Sequence, residues 1–481
     1  MKRPRIQIGR DRFIPYAVLA IMAGLVYVSF MPGHIGIDSL SQIYEADSGD
    51  FTNRHAALLL ALWRPFFELG LGLGFVLAAQ ILTFVVGGYL LARSAFARLG
   101  AASITAVVCL WPPVFGMLGS VQRDTWFAAL LLLSYALIVR AAQRDWPARG
   151  RWIALAAVAI WLALASRQNA APALLPGAAL LSFLLFDRFA ASGRGWSRLT
   201  STHLRRVSSS ITAAVVLTVA MAATQVAGMT AIGARDVDPE QYLYIYDLAA
   251  VSAIEEENVF PADVMADRTM APIDNGFSVD SMIFLVFLDS APIVTPLEAA
   301  QLRSMRDRWV DVVTSDFGRY LEARTELFGH QLALARSARV VFIPDVAENP
   351  YGYRIWAPAV NSAALDYLAL FTVNEVEDYP VINGGVLYSV WIYLLIAGLA
   401  MLALLRRGGA LEHLAVGALA AAAITTQTGL FVGAMGAEFR FEFPAVAAAM
   451  FAAPVAVAVV LRNRTSARSH QGRDAPPAHS S

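Results

Sequence analysis

A few ionisable residues in this chain stand where such groups are costly, at the edges of long apolar runs. Asp38 follows the first run in Pro32-Gly-His-Ile-Gly-Ile-Asp-Ser, with Asn53-Arg54-His55 shortly after it. A carboxylate held there can take a proton from a hydroxyl nucleophile. It can equally cap a helix or face solvent beside Ser39. His55 has the chemistry to bind a phosphate or polarise a leaving group, or to act as an interfacial hydrogen-bonding residue. Arg123-Asp124 directly precedes another apolar run. Asp124 suits a helix N-terminus, and Arg123 can hold an anion by a forked pair of hydrogen bonds. Arg167-Gln168-Asn169 and Glu438-Phe439-Arg440-Phe441 repeat the pattern of an arginine at the end of a run. Each such arginine needs a counter-charge, either a neighbouring carboxylate or a bound phosphate.

The elements that must position these residues are membrane helices. The chain has 481 residues, 57% hydrophobic and only 15% charged, with no formal net charge. Ordinary soluble domains are about a quarter charged, so the usual solvent for this surface is lipid. A zero balance indicates neither a nucleic-acid nor a polyacidic partner. Apolar stretches of spanning length fall at 13–31, 71–92, 99–118, 125–143, 152–166, 172–189, 209–229, 385–405, 411–434 and 444–461, which predicts about ten transmembrane helices. The first is too long and too poorly followed by a cleavage site to be a secretory signal.

If the ten runs alternate, the N-terminal arm, Arg93, Arg98, Arg140 to Arg151, Arg188 to Arg206, Arg406-Arg407 and the tail all fall on one side. Arginine-rich short loops are cytoplasmic, so both termini are expected inside. The segments 32–70, 119–124, 167–171, 230–384 and 435–443 then lie outside, periplasmic or extracellular. This divides the chain into an N-terminal membrane module (1–229, about seven helices, with 32–70 as its first outer loop), an extracytoplasmic insertion (230–384), a C-terminal module (385–461, about three helices) and a disordered cytoplasmic tail (462–481). The insertion is expected to be mixed and mainly helical. Its clearest element is 297–339, where Trp309, Val312, Val313, Tyr320, Leu321, Leu327 and Phe328 recur at helical spacing.

There is no Gly-rich phosphate loop with lysine, no metalloprotease signature and no cysteine pair, so neither a nucleotide nor a redox cofactor is expected. Cys109, the one cysteine, reads as a small buried hydrophobe. Lys2 is the only lysine, and the dominance of arginine suggests a GC-rich bacterial genome.

The order and sidedness of Gly36-Ile-Asp38-Ser, Asn53-Arg-His55, Gln122-Arg-Asp124, Arg167-Gln-Asn169 and Glu438-Phe-Arg440-Phe resemble the GT-C superfamily, integral membrane glycosyltransferases that use polyprenyl-phosphate sugars. The segment Tyr320-Leu-Glu-Ala-Arg324 is similar to one often seen in their outer regions. Ala56 stands where that pattern commonly has proline, and Asp47 or Asp50 would have to supply the second acidic residue often found near the first. The resemblance implies an all-α polytopic GT-C-like fold in a bacterial inner membrane and an inverting transfer of a hexose or pentose, with a divalent cation an open question. Its partners would be a polyprenyl-phosphate sugar donor, a lipid-linked glycan, polysaccharide or protein acceptor, and membrane lipids. It makes Asp38 the general base and gives donor-phosphate or substrate binding to His55, Arg123, Asp124, Arg167, Asn169 and Arg440. The alternatives are a transporter or flippase of lipid-linked glycans, and a glycan ligase or polymerase. A transporter commonly carries inverted repeats, and none is evident. A ligase would place its main chemistry in the late loop rather than around Asp38.

Overall fold

A computed structural model describes residues 10–191, 203–287, 291–334, 339–340, 346, 348–373, 382–407 and 410–471. Nineteen α-helices account for most of them. In chain order the first part contains α1 (Arg10–Phe30), α2 (Ile37–Ser48), α3 (Ala57–Glu68), α4 (Gly72–Ala92), α5 (Arg98–Cys109), α6 (Pro112–Leu118), α7 (Arg123–Ala142), α8 (Ala148–Ser166), α9 (Ala171–Ala191) and α10 (His203–Ala231). Then come α11 (Gln241–Glu255), α12 (Ala271–Gly276), α13 (Ile283–Val286), α14 (Ala299–Ser315), α15 (Phe317–Gln331) and α16 (Pro358–Ala369). The chain closes with α17 (Val390–Arg407), α18 (Leu411–Gly433) and α19 (Phe439–Gln471).

Among the described residues, eight helices are long and apolar enough to cross a membrane: α1, α4, α7, α8, α10, α17, α18 and α19. The chain is a multi-pass membrane protein. The other two expected spans take different forms. The run 99–118 is split into α5 and α6, which meet at 79°. Pro112 and Pro113 open α6, and a proline can neither continue the preceding hydrogen-bond ladder nor allow the residue before it a helical backbone. The run 172–189 forms α9, whose apolar part, Ala171–Leu185, is shorter than the others.

The bundle is organised around α7, which packs on α4, α8, α18 and α19. Without a hydrophobic drive between helices in lipid, close association depends on small residues. A Cβ on Gly87 would sit 2.8 Å from the Leu133 backbone nitrogen, so α4 approaches α7 nearly backbone to backbone. At one end of the bundle, the guanidinium of Arg462 donates to the Ala95 carbonyl and Asn463 donates to Arg407 O at 2.7 Å. These bonds tie α19 to the α4–α5 and α17–α18 connections. The helix therefore continues through Gln471, where the sequence alone suggests disorder from 462; residues 472–481 lie outside the described set.

At the opposite end sit α2, α3 and the stretch expected as one insertion, which divides between two cores. Helices α11 to α15 bury Ile245, Phe260, Met305 and Leu327 in a core of their own, closed by Leu430 of α18 and by Ala434 and Ala437 from the α18–α19 connection. Helix α16 joins the main bundle instead. Asn361 donates to Ser29 O at 2.9 Å and the Tyr367 hydroxyl to Leu110 O at 2.8 Å. Three strands of two or three residues, Arg339–Val340, Thr372–Val373 and Ile382–Gly384, form a small antiparallel sheet with the last strand in the middle. The insertion is thus mixed and mainly helical.

Candidate active site

Asp38 lies in the first turn of α2, where a carboxylate is favoured by the helix dipole. The cap position belongs to Gly36, so Asp38 does not cap the helix. Its Oδ2 accepts from Arg440 Nη1 at 2.5 Å, joining the first loop to the start of α19. Two features aim Arg440. The Arg440 guanidinium also meets the carboxylate of Glu438, two residues before it. Gly436 turns the chain into α19 with φ +153°, where a Cβ would lie 2.6 Å from Asp280 O. One guanidinium thereby serves two carboxylates. Burial by itself raises the Asp38 pKa, but Arg440, with Arg123 and His55 adding to it, holds the carboxyl well below the usual range. Burial prevails at Glu438, whose pKa is pushed up against the pull of Arg440.

His55 is buried and pairs through Nδ1 with Glu45 Oε1 at 2.8 Å. Glu45 stands two helical turns on from Asp38, on the same face of α2. It is anchored in turn by Thr52, whose hydroxyl donates to Oε1 at 2.7 Å and whose N–H donates to Oε2 at 3.1 Å. Gly49, in the left-handed conformation (φ 75°) at the C-cap of α2, lets the chain double back so that Thr52 reaches Glu45. Arg123 begins α7 and donates to Arg54 O at 3.1 Å. The Arg54 guanidinium lies 5.1 Å from the Tyr242 ring centre and 4.8 Å from that of Phe287, which brings the insertion against the first loop.

Asp38, His55, Arg123 and Arg440 line one cleft of about 210 Å³, with His34, Arg54, Glu438 and Tyr242 also in its wall. Asp124, Arg167 and Asn169 do not line it. Arg167 Nη1 approaches Asp124 Oδ1 at 2.9 Å, with both side chains buried, and donates to Phe441 O at 3.0 Å. The Phe441 ring separates this pair from the cleft, with Arg167 at 4.9 Å and Arg440 at 5.0 Å from its centre. Asn169 sits in a 3-10 turn against Gly429 and Gly433 of α18. The polar groups of Asp124 and Arg167 are directed into helix packing. Glu45 and Tyr242 are not singled out in the sequence, and Arg54 only as the middle of Asn53-Arg54-His55; the two-turn spacing of Asp38 and Glu45 is a signal for the first. Asp50, a candidate second acid, is occupied at the surface by Arg235, with contacts of 2.9 and 2.6 Å. Among the described residues, no three His, Cys, Asp or Glu side chains gather as a metal-binding group.

His34 supplies a pH-dependent term. It is 1% exposed and lies 4.9 Å from the Phe30 ring centre, with Asn361 Nδ2 3.4 Å from its Nε2. Burial draws its pKa down to about 3, so the folded chain holds it neutral. An unfolded histidine titrates near 6.5, and a depressed folded value means that stability is intact above that pH and declines as pH falls towards the folded value. His34→Gln is expected to flatten the loss of thermal stability between about pH 6 and pH 4 by removing this proton uptake. Unfolding curves in detergent across that range measure it; parallel slopes for wild type and variant would exclude the effect.

Fold and site together define a multi-pass helical membrane protein with a buried charged cleft between its first loop, its insertion and the start of its last helix. No protein-family model and no curated protein matches the chain. Among solved structures, it is similar to the archaeal oligosaccharyltransferase AglB from Archaeoglobus fulgidus in complex with an inhibitory peptide and a dolichol-phosphate, at 13% identity over 98% of this chain and 53% of that one, with a TM-score of 0.40. The oligosaccharyltransferase from Archaeoglobus fulgidus in its apo form is 14% identical over 96% of this chain and 52% of that one, again with a TM-score of 0.40. The chain spans about half the length of these proteins.

Proposed function

We propose that the chain is a membrane-embedded glycosyltransferase that moves a sugar from a polyprenyl-phosphate donor to an acceptor hydroxyl. The observation that carries this reading is the cleft itself, in which a carboxylate and a guanidinium in contact, Asp38 and Arg440, are joined by Arg123 and His55. The arginine-rich loops belong to the other end of the bundle, so the orientation rule favours an extracytoplasmic cleft. There a lipid-linked sugar is the accessible activated donor.

In this reading Arg123 and Arg440 take the donor phosphate and neutralise the charge that grows on it as the glycosidic bond breaks. The acceptor oxygen bonds to the anomeric carbon on the face opposite the phosphate. The bond from that carbon to the phosphate oxygen breaks, its electron pair leaves with the polyprenyl phosphate, and the hydroxyl proton passes to Asp38. A carboxylate clamped by Arg440 is a weak base. A phosphate that draws Arg440 towards itself relieves the clamp, and the basicity of Asp38 rises when the donor is bound.

A polyprenyl monophosphate without sugar tests the donor site on the full-length protein in nanodiscs. Wild type is expected to bind it, and Arg123→Gln to weaken binding about ten- to a hundredfold, the scale of one charged hydrogen bond. Among the described residues, the Arg123 side chain hydrogen-bonds a backbone carbonyl, Arg54 O, so its replacement is expected to spare the fold. Absence of binding to wild type would remove the donor reading.

A further inference from the structure

Beside the cleft lies a larger cavity, of about 470 Å³, between the first loop and the insertion. We propose that it is the acceptor site and that it takes a neutral, polyhydroxylated glycan; its part in transfer rests on the glycosyltransferase reading, its ligand class on the cavity alone. The volume lies within the range of about 300–1,000 Å³ usual for small-molecule sites.

The charges of the two cavities differ. The cleft around Asp38 contains Arg123, whose guanidinium has no carboxylate contact among the described residues, so it suits an anion. In the larger cavity the acidic groups are already paired, and its cations are Arg235, on Asp50, and Arg54. Asp50 accepts from Nε and Nη2 of Arg235, Glu45 holds His55 and Thr52, and the remaining cation, Arg54, is packed on the rings of Tyr242 and Phe287.

The backbone argues against a peptide. Extended peptides bind by adding to a free strand edge. Here the first loop and the insertion have used theirs on each other: Arg235 N donates to Phe51 O at 2.8 Å, and Asn53 N donates to Arg235 O at 3.0 Å. What the cavity does offer is tyrosine. Tyr44, Tyr242 and Tyr351 stand in its wall, and Tyr44 is 55% exposed despite its size. A tyrosine presents an apolar face and a polar tip, the combination that matches the C–H face and hydroxyl rim of a sugar ring.

The two cavities share Arg54, His55 and Tyr242 as a common wall. In the tautomer that donates from Nδ1 to Glu45, the Nε2 of His55 is left as a lone-pair acceptor. It is placed to accept from a hydroxyl that passes from the larger cavity towards Asp38, which makes His55 a positioning residue for the acceptor.

Saturation-transfer NMR on the full-length protein in nanodiscs tests the site with short neutral glucans, mannans and galactans, polyglycerol phosphate and an unstructured peptide. At least one neutral glycan is expected to bind wild type, and Tyr44→Ala and Tyr351→Ala each to weaken it about tenfold. Polyprenyl monophosphate binding is expected to be unchanged in both variants. The inference is overturned if no neutral glycan binds, if glycan binding survives both substitutions, or if polyglycerol phosphate or the peptide binds in preference. Failure of polyprenyl monophosphate to bind wild type overturns the donor reading instead and leaves the glycan result to decide this cavity.

Discussion

Replacing Asp38 with asparagine is expected to lower glycan transfer by about a hundred- to ten-thousandfold, the usual contribution of a positioned acid or base. The variant is informative because its structural effect is small. Arg440 keeps its contact with Glu438, so no guanidinium is left without a counter-charge, and the amide oxygen of asparagine still accepts from Arg440 Nη1. Polyprenyl monophosphate binding should hold or tighten, since Arg440 no longer has two carboxylates to serve. Transfer from lipid-linked sugar in membranes, measured beside protein level and monophosphate binding, separates the two effects. Wild-type turnover in this variant would remove Asp38 from the chemistry.

The largest stability effect is expected inside the insertion. Arg324 Nη2 contacts Asp247 Oδ1 at 2.5 Å, with the two side chains only 1% and 3% exposed. Trp309 Nε1 donates to the other carboxylate oxygen at 2.7 Å. Arg324→Met leaves that carboxylate buried without its cation, at a cost of about 3–5 kcal/mol. Burial already raises the Asp247 pKa against the pull of Arg324. Without the guanidinium it rises further, so the variant loses stability as pH increases through the raised value. Adding Asp247→Leu removes the stranded charge and should restore most of the loss, since exchanging a whole buried pair for apolar residues is often near neutral. Denaturant unfolding of the single and double variants measures the difference; equal stabilities would contradict the account. Arg324 Nη1 also donates to Ala434 O at 2.7 Å and Gln331 to Gly436 O at 3.0 Å, so the same pair steadies the turn that launches Arg440.

Local and one-dimensional properties were legible in the sequence. Run length and low charge marked the spans because lipid admits little else. The uneven placement of arginine and the polar composition of 230–384 gave expectations for sidedness and for an insertion. Even the proline pair at 112–113 marked the weak point of the third run, although the 79° bend required the coordinates. Asp38, His55, Arg123 and Arg440 could be singled out because ionisable groups at membrane edges need a reason to be there.

Pairing was not legible. Arg440, Arg167 and Arg123 carry the same side chain at the same kind of position, and nothing local distinguishes their partners. The fold joins Arg440 to Asp38 across 402 positions and sends Arg123 into the cleft, while Arg167 is spent on Asp124 behind the Phe441 ring. It gives His55 a buried carboxylate and divides the insertion between two cores. Sequence by itself determined what solvent each segment faces, because transfer free energy is a sum over local composition. Tertiary structure decided which charges meet, because a charge-assisted contact forms only within a few ångströms and the choice of neighbour belongs to helix packing.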